Sequence, residues 1–425
     1  AGRAHLSRGQ FAGGMGGGGQ GIYALDVSDP SLFSESNASS LVLWEFTDEN
    51  DVDLGLTYSR PSIVRMCTQR DTASTDSPKP CLQWRWVVLF GSGYNAKAAD
   101  GYQSTSNYAY LFILDAVTGT LLKKVATTAA FSPNGLNTPT VVDLDGDDVA
   151  DTVYAADING GVWKFDVSEI SSASVSYRLY QASLSGVNQP ITTAVEIAPH
   201  PRGGVIINFA TGKYLEVSDK TSYATQTIYG IWDNGASVPT DSSRANLQKQ
   251  ELMADTVTVG GAVFGASTNN PVDWSTKLGW YLNLTPGSAS PLTPSERVAY
   301  DPVIAQSILG VISVLPSTDV CAYGGTSWFY QLNPLTGGAP DSAVFADAPK
   351  INFATGGSGY ASRRESTVGI APMPTVIATG QGTGKAFESG SDGSGGSGGT
   401  GLGSFNLNHK FGLGRRLSWR ELEID

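Results

Sequence analysis

Leu111-Phe-Ile-Leu-Asp115-Ala-Val-Thr-Gly119 and Phe329-Tyr-Gln-Leu-Asn333-Pro-Leu-Thr-Gly337 spell one element twice: an apolar run, a polar residue, then a turn closing on glycine. Related copies are Tyr23-Ala-Leu-Asp26-Val-Ser, Trp163-Lys-Phe-Asp166-Val-Ser, Tyr229-Gly-Ile-Trp-Asp233-Asn-Gly235 and Trp280-Tyr-Leu-Asn283. Short runs of this composition, closed by turn residues, read as strands. A second pattern is a proline leading into β-branched residues: Pro61-Ser-Ile-Val64, Pro139-Thr-Val-Val142, Pro302-Val-Ile304 and Pro374-Thr-Val-Ile377, with Pro190-Ile191 as a weaker copy. Proline suits a strand's first residue because it has no N–H to give the ladder. A third is a strand ending in glycine, in Leu89-Phe-Gly-Ser-Gly93 and in Asn208-Phe-Ala-Thr-Gly212, which recurs letter for letter as Asn352-Phe-Ala-Thr-Gly356.

Taken in order, a unit is a Pro-led strand, a Gly-ended strand and an aromatic strand with a polar turn. Units recur at roughly 50 to 80 residues, the length of a four-stranded propeller blade enlarged by insertions. The expected fold is all-β, a β-propeller of six to seven blades with long inserted loops, residues 1–425 forming one domain. A stacked pair of β-sandwiches is less favoured, because it does not require this repetition. Composition agrees: 51 glycines, 17 tyrosines and 9 tryptophans, with only 16% charged residues, describe a turn-rich β protein. Residues 380–403, with their Ser-Gly-Gly repeats, read as a flexible loop. The last segment, from Phe411, regains apolar residues (Leu413, Leu417, Trp419, Leu422) and is expected to pair with or cover the propeller.

A net charge of -12 and the lack of a basic stripe argue against nucleic acid as a partner. The longest apolar runs, such as Trp86 to Phe90, fall far short of the roughly 20 residues that span a bilayer. The chain opens at Ala1 with no signal-like segment, so either a signal has been removed or this is a piece of a longer protein. Cys67 and Cys81 flank a polar loop between two strand-like runs; a disulfide there would staple the loop at its base and imply an oxidising compartment. Cys321 has no obvious partner.

The chemistry concentrates in Asp143-Leu-Asp145-Gly-Asp147-Asp148-Val149-Ala-Asp151. Carboxylates at relative positions 1, 3, 5 and 9, with a backbone carbonyl near position 7, are how a short loop wraps Ca²⁺, an ion that takes about six to eight hard oxygen ligands. The expected ligands are the side chains of Asp143, Asp145, Asp147 and Asp151 and the backbone of Val149, with Asp148 facing solvent. Strand-like flanks exclude an EF-hand, which needs helices on both sides. Mg²⁺ is disfavoured by its demand for rigid octahedral geometry. The bland reading is an acidic, solvated turn with no ion. A second acidic run, Asp48 to Asp53, lacks this register and reads as a solvated loop. His5, His200 and His409 have no metal-ligand spacing and read as surface or capping residues, and no nucleophile elbow, Cys-His set or phosphate loop is present. No catalytic or organic-cofactor site is expected.

With this order of elements the chain resembles the C-terminal propeller of the PilY family of type IV pilus biogenesis factors and pilus-tip adhesins. The matching stretches are Gly19 to Pro30, Tyr58-Ser-Arg-Pro-Ser-Ile-Val-Arg65, Val88 to Tyr94, Thr138 to Asp151 running on to Asp166, and Arg416-Leu-Ser-Trp-Arg-Glu-Leu422. The resemblance implies the C-terminal part of a large secreted, non-enzymatic protein, exported through the periplasm to the pilus tip or cell surface. It further implies minor pilins, and host or abiotic surfaces, as partners, and Ca²⁺ at Asp143, Asp145, Asp147, Val149 and Asp151 that favours pilus extension over retraction and so governs twitching motility and attachment. Two rival classes share features. Leu114 to Gly119 also resembles the repeats of quinoprotein dehydrogenases, which are Ca²⁺-dependent propellers, so the expected propeller is a modified, quinoprotein-dehydrogenase-like one, but the vicinal cysteine pair of those enzymes is missing. Asp143-Leu-Asp-Gly-Asp also resembles integrin-like propeller loops, but those recur on successive blades and here there is one.

Overall fold

The computed structural model describes residues 9–76, 79–96, 102–235, 244–285, 295–319, 324–354, 356–380, 383–391 and 402–408. Chain contacts divide it into two compact units, the first built on residues 1–181 and the second on residues 182–416.

The first unit holds three antiparallel sheets among the described residues. Strands β1 (Gln10–Gly14), β2 (Gly21–Asp26) and β3 (Val42–Thr47) form one. β4 (Ser62–Arg70), β5 (Cys81–Gly91), β6 (Tyr110–Asp115) and β7 (Leu121–Ala126) form the next in sequence order. β8 (Thr140–Val142), β9 (Thr152–Ala156), β10 (Gly161–Asp166) and β11 (Ser174–Gln181) form the last. Alternation explains the long apolar runs of the middle sheet. Val87, Leu89, Leu111 and Ile113 pack with Val153, Ala155, Trp163 and Phe165 of the last sheet. Val88, Phe90, Phe112 and Leu114 point the other way, onto Ile22, Ala24, Trp44 and Phe46 of the first. A sheet covered on both faces has no polar face to show in its sequence.

The second unit repeats the scheme. Glu196–Pro199, Val205–Ala210, Thr227–Asp233 and Gly279–Asn283 pair antiparallel, and Gln248–Gln250 adds a parallel fifth strand. A six-stranded sheet runs Leu252–Val259, Ala262–Ser267, Arg363–Glu365, Gly325–Leu332, Ile308–Pro316, Val303–Ala305. Thr375–Gly380, Thr383–Ser389 and Leu402–Leu407 make a third sheet. Tyr330 and Leu332 pack on Trp280 and Leu282, while Phe329 packs on Phe345 and Phe405, so the six-stranded sheet is again covered on both faces.

All six aromatic copies fall on strands, and each of the four full Pro-led copies stands immediately before or at the start of one. The weak copy at Pro190-Ile191 lies in no strand. Asn352-Phe-Ala-Thr-Gly356 also departs from expectation: among its described residues only Asn352 belongs to a strand, the two-residue Ile351–Asn352. Within the stretch expected to be a flexible loop, Thr383–Ser389 is a strand, because it alternates Ala386 and Glu388 inward with Lys385 and Phe387 outward. Residues 392–401, the C-terminal motif from Arg416, His5, His409 and Cys321 lie outside the described residues.

The turns after the aromatic strands lock sheet to sheet. Asp115 Oδ1 accepts from the amides of Val117 (2.9 Å) and Thr118 (3.0 Å), and Gly119 N donates to Asp115 O at 2.9 Å, folding the turn so that Gly119, at φ +69°, lies against the Trp44 indole. Trp44 Nε1 then donates to Ala116 O at 2.9 Å. The second unit repeats this: Gly337, also at φ +69°, lies against Trp280, whose Nε1 donates to Pro334 O at 3.0 Å. In both sheets the tryptophan faces a small cross-strand neighbour, Ala24 or Gly230.

Asp157 fixes another turn, accepting from Trp163 Nε1 (2.8 Å) and from the amides of Asn159 and Gly161 (2.9 Å each). Burial pushes its carboxyl up from 3.8 to about 6 despite these donors. Between those values the folded chain holds a proton that the unfolded chain has lost, so this group's contribution to stability falls as pH rises from about 4 to about 6. Urea unfolding across that window should show the wild type losing stability relative to an Asp157→Asn variant; parallel curves would refute the assignment.

Candidate metal centre

The acidic stretch is the connection between β8 and β9, two adjacent antiparallel strands. Asp151 N donates to Val142 O at 3.0 Å and closes the loop at its base. Inside, the carboxylates are turned toward the backbone of their own loop. Asp143 accepts from Gly146 N (2.7 Å) and Asp148 N (2.8 Å), Asp145 from Asp147 N (3.2 Å), Asp147 from Val149 N (2.8 Å), and Asp151 Oδ2 from Leu144 N (2.9 Å). Two positive φ angles make so tight a path possible, +80° at Gly146 and +67° at Asp148, residue types that tolerate the left-handed region.

This wrapping brings Asp143, Asp145 and Asp151 together, with one carboxylate oxygen of each within 4.8 Å of the others. That separation is no wider than one coordination sphere of a hard cation with metal–oxygen distances of about 2.4 Å, and every donor is a carboxylate, so the residues fit such an ion. Asp147 is outside this trio, its Oδ1 capping the Val149 amide. Charge crowding is visible in the carboxyls themselves. Asp147 is raised by burial and by Asp145, Asp143 and Asp151, against the Val149 amide. Asp151 is raised by burial and by Asp145, against the Leu144 amide and Arg70.

Sequence reading missed the counter-charges. Arg65 and Arg70, both on β4, hold the loop from behind. Arg65 Nη2 pairs with Asp148 Oδ2 at 3.0 Å and its Nε donates to Asp148 O at 3.1 Å, while its own carbonyl accepts from Ala150 N at 2.8 Å. The Arg65 guanidinium also stacks 5.0 Å from the Trp84 ring centre. Asp148 is therefore paired with an arginine while its side chain stays partly exposed to solvent. Arg70 Nη2 pairs with Asp151 Oδ1 at 3.0 Å, both side chains nearly buried. Cys67 and Cys81 form a disulfide that ties this end of β4 to β5.

The second acidic run also differs from expectation. Lys124 Nζ sits 2.8 Å from Asp51 and from Asp53 and 4.6 Å over the Tyr110 ring, so an ammonium already neutralises these carboxylates. Burial pulls the Lys124 pKa down, but the hydrogen bonds and charges of Asp51 and Asp53 leave it raised. His200 is buried rather than at the surface, stacked 4.2 Å from Trp232 and edge-on to Trp274, with Nδ1 accepting from Arg202 N.

Two-face-buried sheets of recurrent strand order, docked through Trp–Gly turns and carrying one cluster of carboxylates among the described residues that could hold a cation, define a β-propeller domain. The family model of the PilY1 beta-propeller domain matches residues 5–269, and the chain belongs to that family. A type IV pilus biogenesis factor PilY1 homolog of Xylella fastidiosa is 33% identical over 401 residues, covering 88% of this chain and 24% of that protein. PilY1 of Pseudomonas aeruginosa is 32% identical over 369 residues, covering 77% of this chain and 29% of that protein. The chain thus spans 24% to 29% of the length of these relatives. The crystal structure of the Pseudomonas aeruginosa PilY1 C-terminal domain superposes with a TM-score of 0.74 at 27% identity, covering 94% of this chain and 80% of that one. No described helix is long and apolar enough to cross a membrane.

Proposed function

We propose that this is a Ca²⁺-binding, non-enzymatic domain of a type IV pilus tip-associated biogenesis factor and adhesin, acting at the cell surface with minor pilins. The observation that carries the reading is the convergence of Asp143, Asp145 and Asp151 in a propeller of the PilY1 family. Asp147 and the Val149 carbonyl complete the ligand set on binding, Asp147 by exchanging its contact with the Val149 amide. A bound divalent cation would supply the positive charge that these crowded carboxylates lack. Its occupancy would favour pilus extension over retraction, and with it twitching motility and surface attachment. In the relatives, the more than two thirds of the length that this chain does not match is the place to look for receptor contacts.

Calorimetric titration should show one Ca²⁺ site per chain, with dissociation between about micromolar and about millimolar. Asp145→Ala should weaken binding on the order of a hundredfold and, placed in the source bacterium, impair twitching. Binding unaffected by Asp145→Ala would remove the site, and normal twitching with binding abolished would remove the regulatory role. Dye-linked alcohol oxidation by the purified chain would overturn the non-enzymatic reading in favour of a quinoprotein dehydrogenase.

A further inference from the structure

We infer that Arg70 is an internal rival to the metal ion, lowering the loop's cation affinity and passing the loop's state to the disulfide-closed connection between β4 and β5. The inference rests on the metal reading above and adds its regulation. Arg70 is the last residue of β4 and stands opposite Cys81 in the ladder, so the Cys67–Cys81 bond fixes its backbone. Its guanidinium is shared three ways: Nε donates to Ser168 O at 3.0 Å, Nη1 to Lys79 O, and Nη2 to Asp151 Oδ1 at 3.0 Å. Ser168 lies after β10, and Lys79 in the β4–β5 connection, so one side chain joins the acidic loop to two other segments.

Asp151 does not need Arg70 for its position. Its amide donates to Val142 O at 3.0 Å, its carbonyl accepts from Val167 N at 2.9 Å, and its Oδ2 accepts from Leu144 N at 2.9 Å. What Arg70 adds is therefore charge. A guanidinium bonded to a ligand carboxylate stands roughly 5 Å from any ion that this carboxylate holds, and even at the dielectric of water a unit charge repels a divalent cation there enough to change affinity about tenfold. Asp151 Oδ1 cannot serve both cations fully, so an incoming ion loosens the Nη2 contact and leaves Arg70 resting on the Lys79 and Ser168 carbonyls. By linkage, whatever holds Arg70 more firmly on Asp151 weakens metal binding equally.

The test is Ca²⁺ calorimetry on wild type, Arg70→Gln and Arg70→Lys, with amide hydrogen exchange of the β4–β5 connection in Ca²⁺ and in EDTA. Arg70→Gln should bind about tenfold more tightly and Arg70→Lys close to wild type. Exchange in residues 71–76 should respond to Ca²⁺ in wild type and not in Arg70→Gln. Equal or weaker binding by Arg70→Gln would overturn the inference, as would wild-type Ca²⁺ binding that leaves this connection's exchange unchanged, a readout available even if the variant does not fold. Wild type that binds no Ca²⁺ would instead remove the metal reading itself, and this inference with it.

Discussion

Gly337→Ala should lower the unfolding free energy by about 2–4 kcal/mol, measured by urea denaturation followed through tryptophan fluorescence. Two costs add. Gly337 has φ +69°, where any Cβ is strained, and a Cβ built there would stand 2.0 Å from Trp280 Cε3. The indole has nowhere to retreat. It is fully buried, its Nε1 is bonded to Pro334 O, and its other side lies against Gly230, where a Cβ would meet Nε1 at 2.2 Å. The equivalent Gly119→Ala should cost less, because the Cβ would meet Trp44 at 2.6 Å and Trp44 is 8% exposed, leaving some room to shift. Gly146→Ala separates the two costs. Its φ is +80° but nothing lies within 4 Å, so about 1 kcal/mol is expected from backbone strain alone. Equal losses at Gly337 and Gly146 would show that the Trp–Gly docking contributes nothing to stability.

Strands were legible where burial on both faces left one kind of residue to use. Leu111 to Leu114 is apolar at every position because its two faces serve two different cores. Letters without context misled at the repeated pentapeptide. Asn208-Phe-Ala-Thr-Gly212 follows Val205-Ile-Ile207 and continues a strand buried between two others. Asn352-Phe-Ala-Thr-Gly356 follows Pro349-Lys-Ile351, and its backbone closes a turn, with Gly356 N donating to Phe353 O and Phe353 N to Gly357 O. The same contrast divides the metal loop. Its carboxylates lie within nine residues of one another and their spacing carries the geometry, whereas the arginines that balance them are 83 and 81 positions away from their partners. Lys124, which cancels the second acidic run, is 73 positions from Asp51. Which strand lies behind a loop is a property of sheet order, and a local reading of the chain does not contain it.

Asp151→Ala should therefore be a double lesion, removing a metal ligand and costing about 2–4 kcal/mol of stability even in EDTA. The second part follows from Arg70. With side-chain exposures of 10% and 7%, Arg70 and Asp151 form a nearly buried pair, and truncating the carboxylate leaves a guanidinium with two carbonyls and no counter-charge. Leu144 N loses its acceptor in the same substitution. Asp145→Ala is the clean comparison. Its side chain is exposed and its hydrogen bond is a local one to Asp147 N at 3.2 Å, so stability without metal should change by no more than about 0.5 kcal/mol while binding weakens. Denaturation of both variants with and without Ca²⁺ gives the decisive pattern: Asp145→Ala matching wild type in EDTA but gaining less than wild type from Ca²⁺, and Asp151→Ala weaker in both conditions. Should Asp151→Ala match wild type in EDTA, the Arg70–Asp151 pair contributes no stability. Where Asp151→Ala is weaker in EDTA, an adhesion or motility defect of that variant alone says nothing about metal, because a loosened loop and an empty one look alike; the defect of Asp145→Ala is the one that reports the ion.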